Sequence, residues 1–242
     1  MTNLYLEIKP DYRIYELLIE FYSNKREWIK ARELINEMKR TDPSFKPNAR
    51  IYSLVINGIL HSKREYSRQV SSALNDVKGE LDAFVSKLKS SNNADMVKHE
   101  YYHLMVIYAM LLQVEKAADL FKEFETRFGS DVLVFNGLLK AYVQCHKINE
   151  LKAIFNDRLL HNKPMDTISY NIAIEMFCKS NLTAEALGLF EQMKRRNIPA
   201  DEATYAVLID GLGFANKFAK AVQIYLESKS SVGASVNIAC KY

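Results

Sequence analysis

The strongest constraint on this chain is that it repeats itself about every 35 residues, a period that implies stacked copies of one small unit. The stretch Asp166 to Ala200 meets the stretch from Asp201 on a shift of 35: Tyr170 falls on Tyr205, Ile174 on Ile209, Ala186 on Ala221 and Phe190 on Tyr225. The opposite shift places Tyr170 on Phe135, Asn171 on Asn136, Asp166 on Asp131, Ala186 on Leu151 and Phe190 on Phe155. A further step of 34 reaches Tyr101, Ala117 and Phe121. Tyr15 with Ala31, Ile35 and Met38 reproduces the spacing near the N-terminus. Tyr52 with Leu81, Val85 and Leu88 forms another copy, lengthened by an insertion around His61 to Asp76. The six aromatic anchors are Tyr15, Tyr52, Tyr101, Phe135, Tyr170 and Tyr205. They define a single repeat domain over 1–242 with repeats at about 11–48, 49–97, 98–131, 132–166, 167–201 and 202–236. The tail at 229–242 is expected to be flexible or to open a further repeat.

Each copy holds two helical patterns. Tyr170, Ile174 and Phe177 share one face at i, i+4, i+7 spacing, and Ala186, Leu189, Phe190 and Met193 share another. Asp166 and Thr167 are good N-caps for the first helix, and Lys194, Arg195 and Arg196 complement the dipole at the end of the second. Helices shorter than about 12–15 residues are marginal alone in water, so stability must come from stacking. The small Ala117, Ala186 and Ala221 let facing helices approach closely. The expected fold is all-α: a right-handed α-solenoid superhelix of about six antiparallel helix pairs, with a concave and a convex surface.

Composition removes several function classes. With 48% apolar and 26% charged residues among 242, the chain is neither disordered nor of low complexity. Only 8 Gly and 5 Pro argue against an all-β barrel. A net charge of +4 is mildly basic and does not by itself declare a nucleic-acid partner. Cys145, Cys178 and Cys240 are odd in number and far apart, which fits a reduced, intracellular chain without a CxxC site. No apolar run approaches the roughly 18 residues of a spanning helix. The N-terminal stretch carries Glu7, Asp11 and Glu16, and no targeting peptide is visible in it. No Gly-rich phosphate loop, deaminase signature or close carboxylate cluster occurs, and His99 with His103 lacks a third ligand. No enzyme, cofactor or metal site is therefore expected.

The copies resemble the pentatricopeptide repeat family. The resemblance is carried by the aromatic-Asn pairs Phe135-Asn136 and Tyr170-Asn171, the run Ala186, Phe190, Met193, the dipeptide Glu185-Ala186, and the basic turn before Pro199 and Asp201. Pro47-Asn48 is similar to the Pro-Asp ending of a family repeat. The Trp-Leu-Gly signature of tetratricopeptide repeats is missing, although Lys116-Ala117 through Phe121 fits either family. The resemblance runs from about Asp11 to Ser228, strongly from Ser130 onward and weakly between Lys63 and Lys98. The Gly of the family's mid-repeat turn is Asn181 or Asn216 here, and the Gly before the final Pro is Asn197. Asn also tolerates a left-handed turn.

The resemblance implies single-stranded RNA as partner, one base per repeat, read by two or three side chains. The implied readers are the residue after each anchor and the last residue of the repeat. These are Glu16 with Asn48, Ser53 with Val97, Tyr102 with Asp131, Asn136 with Asp166, Asn171 with Asp201, and Ala206 with Val236. The implied stacking residues, two before each anchor, are Arg13, Arg50, His99, Leu133, Ile168 and Ala203. Asn with Asp is the family combination for uridine, the amide donating and accepting at the pyrimidine edge. The fourth and fifth copies should thus prefer two successive pyrimidines, uridine first, with Leu133 and Ile168 against the base faces. Lys179 is the candidate phosphate contact; its equivalents are His61, Met110, Gln144 and Phe214, so no continuous basic groove is expected. Lys63, Arg64 and Arg68 in the insertion fit a solvated face. Location, by resemblance, is the mitochondrion, in RNA stability, processing or translation, with other ribonucleoprotein subunits as further candidate partners.

A plainer reading stands beside this one. Asp131, Asp166 and Asp201 each open a helix, where Asp serves as an N-cap worth about 1 kcal/mol, and capping is compatible with reading. Asn136 and Asn171 are weak helix formers recurring at one phase, which favours a functional role. The alternative function is a protein-protein scaffold that uses the solenoid surface without reading bases.

Overall fold

The computed structural model describes residues 10–61 and 67–231. Twelve helices and no strand occur among the described residues, in two compact units, Met1–Leu111 and Leu112–Tyr242. Unit 1 holds α1 (Tyr12–Asn24), α2 (Trp28–Thr41), α3 (Ala49–Leu60), α4 (Ser67–Lys89) and α5 (Ala94–Met110). Unit 2 holds α6 (Val114–Phe128), α7 (Val132–Gln144), α8 (Ile148–Leu160), α9 (Thr167–Lys179), α10 (Thr183–Arg195), α11 (Glu202–Phe214) and α12 (Phe218–Ser231). The boundary falls inside the third sequence period. Val236, Cys240, Lys63 and Arg64 lie outside the described residues.

Within each unit the first helix of a repeat packs on its own second helix and on the first helix of the next repeat. The pairs are α1 with α2 and α3, α3 with α4 and α5, α7 with α8 and α9, α9 with α10 and α11, and α11 with α12. This is the layering of an all-α solenoid. The six anchors are at most 5% exposed, and Ala31, Met38, Ala186, Phe190 and Met193 are fully buried. The anchors of unit 2 reach back to the second helix of the preceding repeat, whereas Tyr15 and Tyr52 contact the second helix of their own repeat. In unit 2, Phe135 lies 6.2 Å from Phe121, Tyr170 5.2 Å from Phe155, and Tyr205 5.6 Å from Phe190.

The turns between paired helices close on a left-handed residue: Arg26, Leu112, His146, Asn181 and Asn216 all have φ between 52° and 62°. The residue after the left-handed one donates back to the helix, as Leu182 N–H does to Phe177 O at 2.8 Å and Lys217 N–H to Leu212 O at 2.8 Å. Asn197 takes the same conformation in the turn before α11, with φ 55°. Asn181, Asn197 and Asn216 thus take the left-handed conformation expected of them.

Two glycines mark the closest helix approaches. A Cβ on Gly211 of α11 would sit 2.3 Å from Cys178 Sγ of α9, and one on Gly58 of α3 would sit 3.3 Å from Ser23 Cα of α1. Burial pushes the Cys178 thiol up to about 11, so it packs as a small neutral side chain.

The second copy departs from the common frame. Part of the expected insertion lengthens α4, which runs from Ser67 to Lys89, while 62–66 lie outside the described residues. Then α5 starts early, capped by Asn93 Oδ1 on Met96 N–H at 3.2 Å.

Candidate nucleic-acid interface

The first helices begin on side-chain caps. Asn48 accepts from Ile51 N–H at 2.9 Å, Asp131 from Val134 N–H at 3.1 Å, Asp166 from Ser169 N–H at 2.8 Å and Asp201 from Thr204 N–H at 2.8 Å. Each bond satisfies one of the four orphan donors at a helix start. The last residue of these repeats is therefore fixed at the mouth of the next helix.

Unit 2 joins the expected pairs. Asn136 Nδ2 donates to Asp166 Oδ1 at 3.2 Å, and Asn171 Nδ2 donates to Asp201 Oδ1 at 3.0 Å. Ser169 Oγ and Thr204 Oγ1, neither of them expected from the sequence, each lie 2.7 Å from the Oδ1 of the same amide. Asn136 is 3% exposed, whereas Asn171 is half-buried and Asp201 exposed. Partial burial pushes the Asp201 carboxyl up, but bonds from Thr204 and Asn171 together outweigh it and hold it below 3.8. Of the stacking candidates, Ile168 is 53% exposed, Ala203 is exposed and Leu133 half-buried. Ala206 is half-buried on α11 and brings no amide.

Lys179 is exposed on α9 and paired with Glu175 Oε1 at 2.6 Å. It borders a cavity of about 710 Å³ between α9 and α11, also lined by Cys178, Asp210, Gly211 and Phe214. An exposed i, i+4 pair is worth only about 0.3–0.5 kcal/mol, so Lys179 stays available to another anion.

The corresponding positions of unit 1 form an ion-pair row. Glu16, 6% exposed, lies 2.6 Å from Arg13 and 3.5 Å from Arg50, and Arg50 also reaches Glu20 at 3.1 Å. The two arginines expected to stack are thus held by carboxylates, and Asn48 serves as the cap of α3. The pair of Ser53 with Val97 is not formed. Because α5 starts at Ala94, Val97 is inside its first turn and only 3% exposed, while Ser53 Oγ donates to Arg50 O at 2.7 Å. Tyr102 is half-buried, edge-on to His103 at 5.1 Å, and His99 is exposed. Asp131 begins α7 in the other unit.

Glu100, at the place of Ser169 and Thr204, accepts from Ala49 N–H at 2.8 Å, and burial pushes its carboxyl up in spite of that bond. No group of three or more His, Cys, Asp or Glu able to hold a metal occurs among the described residues.

Comparison with known proteins fits this geometry. Residues 165–214 match a model described as the PPR repeat family, and residues 13–42 and 203–231 match the PPR repeat. A pentatricopeptide repeat-containing protein of Arabidopsis thaliana, At3g61360, is 26% identical over 147 residues, covering 61% of this chain and 30% of that protein. The crystal structure of maize PPR10 superposes with a TM-score of 0.52 at 23% identity, covering 95% of this chain and 36% of PPR10. PPR10 in complex with an 18-nt psaJ RNA element gives 0.52 at 22% identity, over 94% of this chain and 36% of that one. The chain spans about a third of the length of these relatives. The matches over 13–42 and 165–231, with the all-α repeat architecture of the described residues, show that the chain carries pentatricopeptide repeats in both units.

Proposed function

We propose that the chain binds single-stranded RNA along the row where α7, α9 and α11 begin, with a preference for two successive uridines, in the RNA metabolism of an organelle, the mitochondrion. The observation that carries this reading is the Asn-Asp pair, formed twice at the same phase with bonds of 3.2 and 3.0 Å. Each amide keeps one N–H and one oxygen lone pair beyond these bonds, the donor and acceptor that a uracil edge requires. Asn171 with Asp201, beside the exposed Ile168, is the main reader, because Asn136 is largely covered. The bound RNA of the PPR10 complex supports RNA as the ligand class.

Fluorescence anisotropy with ten-base U, C and A oligonucleotides at moderate salt tests this. Tightest binding to U, lost in Asn171→Ala, is expected; equal or absent binding to all three overturns it. If the magnitude for DNA base contacts transfers, one good pair discriminates by about 1–3 kcal/mol.

A second reading, a protein-binding scaffold, is favoured by exposed apolar rows. Ile14, Leu17 and Phe21 on α1 are 40%, 51% and 49% exposed, and Phe218, Val222 and Leu226 on α12 are 60%, 56% and 61% exposed. Co-purification of a partner that survives ribonuclease would support it.

A further inference from the structure

Asn136 and Asn171 do not stand alone with their aspartates. Ser169, at the third position of α9, places Oγ 2.7 Å from Asn136 Oδ1 and 2.9 Å from Asp166 Oδ1. Thr204, at the third position of α11, places Oγ1 2.7 Å from Asn171 Oδ1 and 2.8 Å from Asp201 Oδ1. We propose that these two hydroxyls are positioning residues that set the orientation of the reading amides, and so decide which donor and acceptor edge each repeat offers to a base. The inference rests on the nucleotide-reading proposal above.

The two ends of a side-chain amide have nearly the same shape, and a half-turn exchanges donor for acceptor. The aspartate claims the Nδ2 end. A hydroxyl donating to Oδ1 holds the other end; the half-turned amide would set its oxygen against the carboxylate and force the hydroxyl to turn its hydrogen away from the amide to the aspartate. Each hydroxyl has a single hydrogen, and the amide oxygen is the nearer of its two acceptors. Ser169 and Thr204 are fully buried, so no water competes for that hydrogen and neither residue can touch RNA itself.

Both hydroxyls also close a capping box, accepting from Asp166 N–H at 3.3 Å and from Asp201 N–H at 3.1 Å, but that bond uses an oxygen lone pair and leaves the hydroxyl hydrogen for the amide. Asn48 and Asp131 cap α3 and α7 at 2.9 and 3.1 Å with Ile51 and Val134 at the same third position. The hydroxyl also follows the amide through the chain. Ser169 and Thr204 come after the two copies that carry Asn beside the anchor, whereas Ile51, Glu100 and Val134 come after Glu16, Ser53 and Tyr102. The reading unit is thus three residues, not two.

The test compares wild type with Thr204→Val, Ser169→Ala and the conservative Thr204→Ser and Ser169→Thr. It reads the Kd ratio for oligonucleotides carrying adjacent uridines or adjacent cytidines, and the melting temperature of each protein. Val and Ala variants should lose about two- to tenfold of the U preference, the worth of one net hydrogen bond, while the conservative variants keep it. Should Thr204→Val unfold, Ser169→Ala carries the test at the neighbouring repeat. A structural role alone lowers the melting temperature and leaves the ratio untouched. An unchanged ratio in the folded variants overturns this inference and leaves the reading intact; a wild type without U preference overturns the reading and the inference with it.

Discussion

In unit 2 the anchor rings of successive repeats rest on rings of the preceding second helix, Tyr170 on Phe155 and Tyr205 on Phe190. In unit 1 the anchors add polar tethers: Tyr15 Oη donates to Glu37 at 3.2 Å and Tyr52 Oη donates to Glu80 at 2.9 Å. The exposed edges diverge in the same way. Unit 2 offers amides and the apolar Leu133 and Ile168, whereas unit 1 offers Arg13 and Arg50 held by Glu16 and Glu20. The contrast teaches that burial of the anchors keeps the frame, while the residues one and two positions away are free to change chemistry.

The largest effect is expected at Arg158. It occupies the phase that Met38 and Met193 fill in α2 and α10, yet its side chain is fully buried. Its guanidinium lies 4.0 Å from the centroid of Phe135, donates to Glu125 Oε1 at 2.8 Å and donates to Pro164 O at 3.0 Å. Arg158→Ala should destabilise unit 2 by about 3–5 kcal/mol in denaturant titrations, the range for breaking a buried pair. Arg158→Met should cost far less, since Lys163 still reaches Glu125 at 3.3 Å.

Next in size come the close approaches. Gly211→Ala should cost about 1–3 kcal/mol, because its Cβ would collide with Cys178, while Gly58→Ala, with 3.3 Å of room, should cost less. Equal losses would contradict the idea that the α9 and α11 contact is the tighter one.

The anchor hydroxyls give a smaller contrast. Tyr52→Phe should cost about 1 kcal/mol through loss of the bond to Glu80. Tyr170→Phe should be neutral or slightly stabilising, since its buried Oη has no hydrogen-bond partner among the described residues.

Much of this was legible in the sequence. The anchors, the Ala-Phe-Met rows and the Asp caps follow from period and residue type, and Asn181, Asn197 and Asn216 occupy the left-handed turns expected of them. Leu112, Arg26 and His146 take the same conformation without any side-chain signal for it, because backbone closure of the turn demands it. The early start of α5 was hidden by the fixed period, which put a repeat boundary at Val97 although Asn93 is the cap. Arg158 stood at an apolar phase where its type argued against burial. Ser169 and Thr204 recur visibly 35 residues apart, but only the lateral contact between first helices reveals what their hydroxyls face.

The smallest contrast is in pH. Glu100 is raised above 4.5, so its contribution to unit 1 is present below that value and is lost as pH rises through the raised pKa. Asp201 is held below 3.8, so its contribution to unit 2 is present above that value and is lost as pH falls through the depressed pKa. Hydrogen exchange between pH 3 and 7 should show the two units responding with opposite sign at these groups, and Glu100→Gln should remove the unit 1 component.

The central claim is that α7, α9 and α11 present a row that distinguishes bases. Its most direct measurement is the affinity of the chain for one adenosine oligonucleotide with and without two adjacent uridines. Tighter binding of the uridine-bearing strand, about tenfold or more and abolished in Asn171→Ala with Asp201→Ala, is the predicted result. Equal affinity for the two strands in the wild type would contradict it.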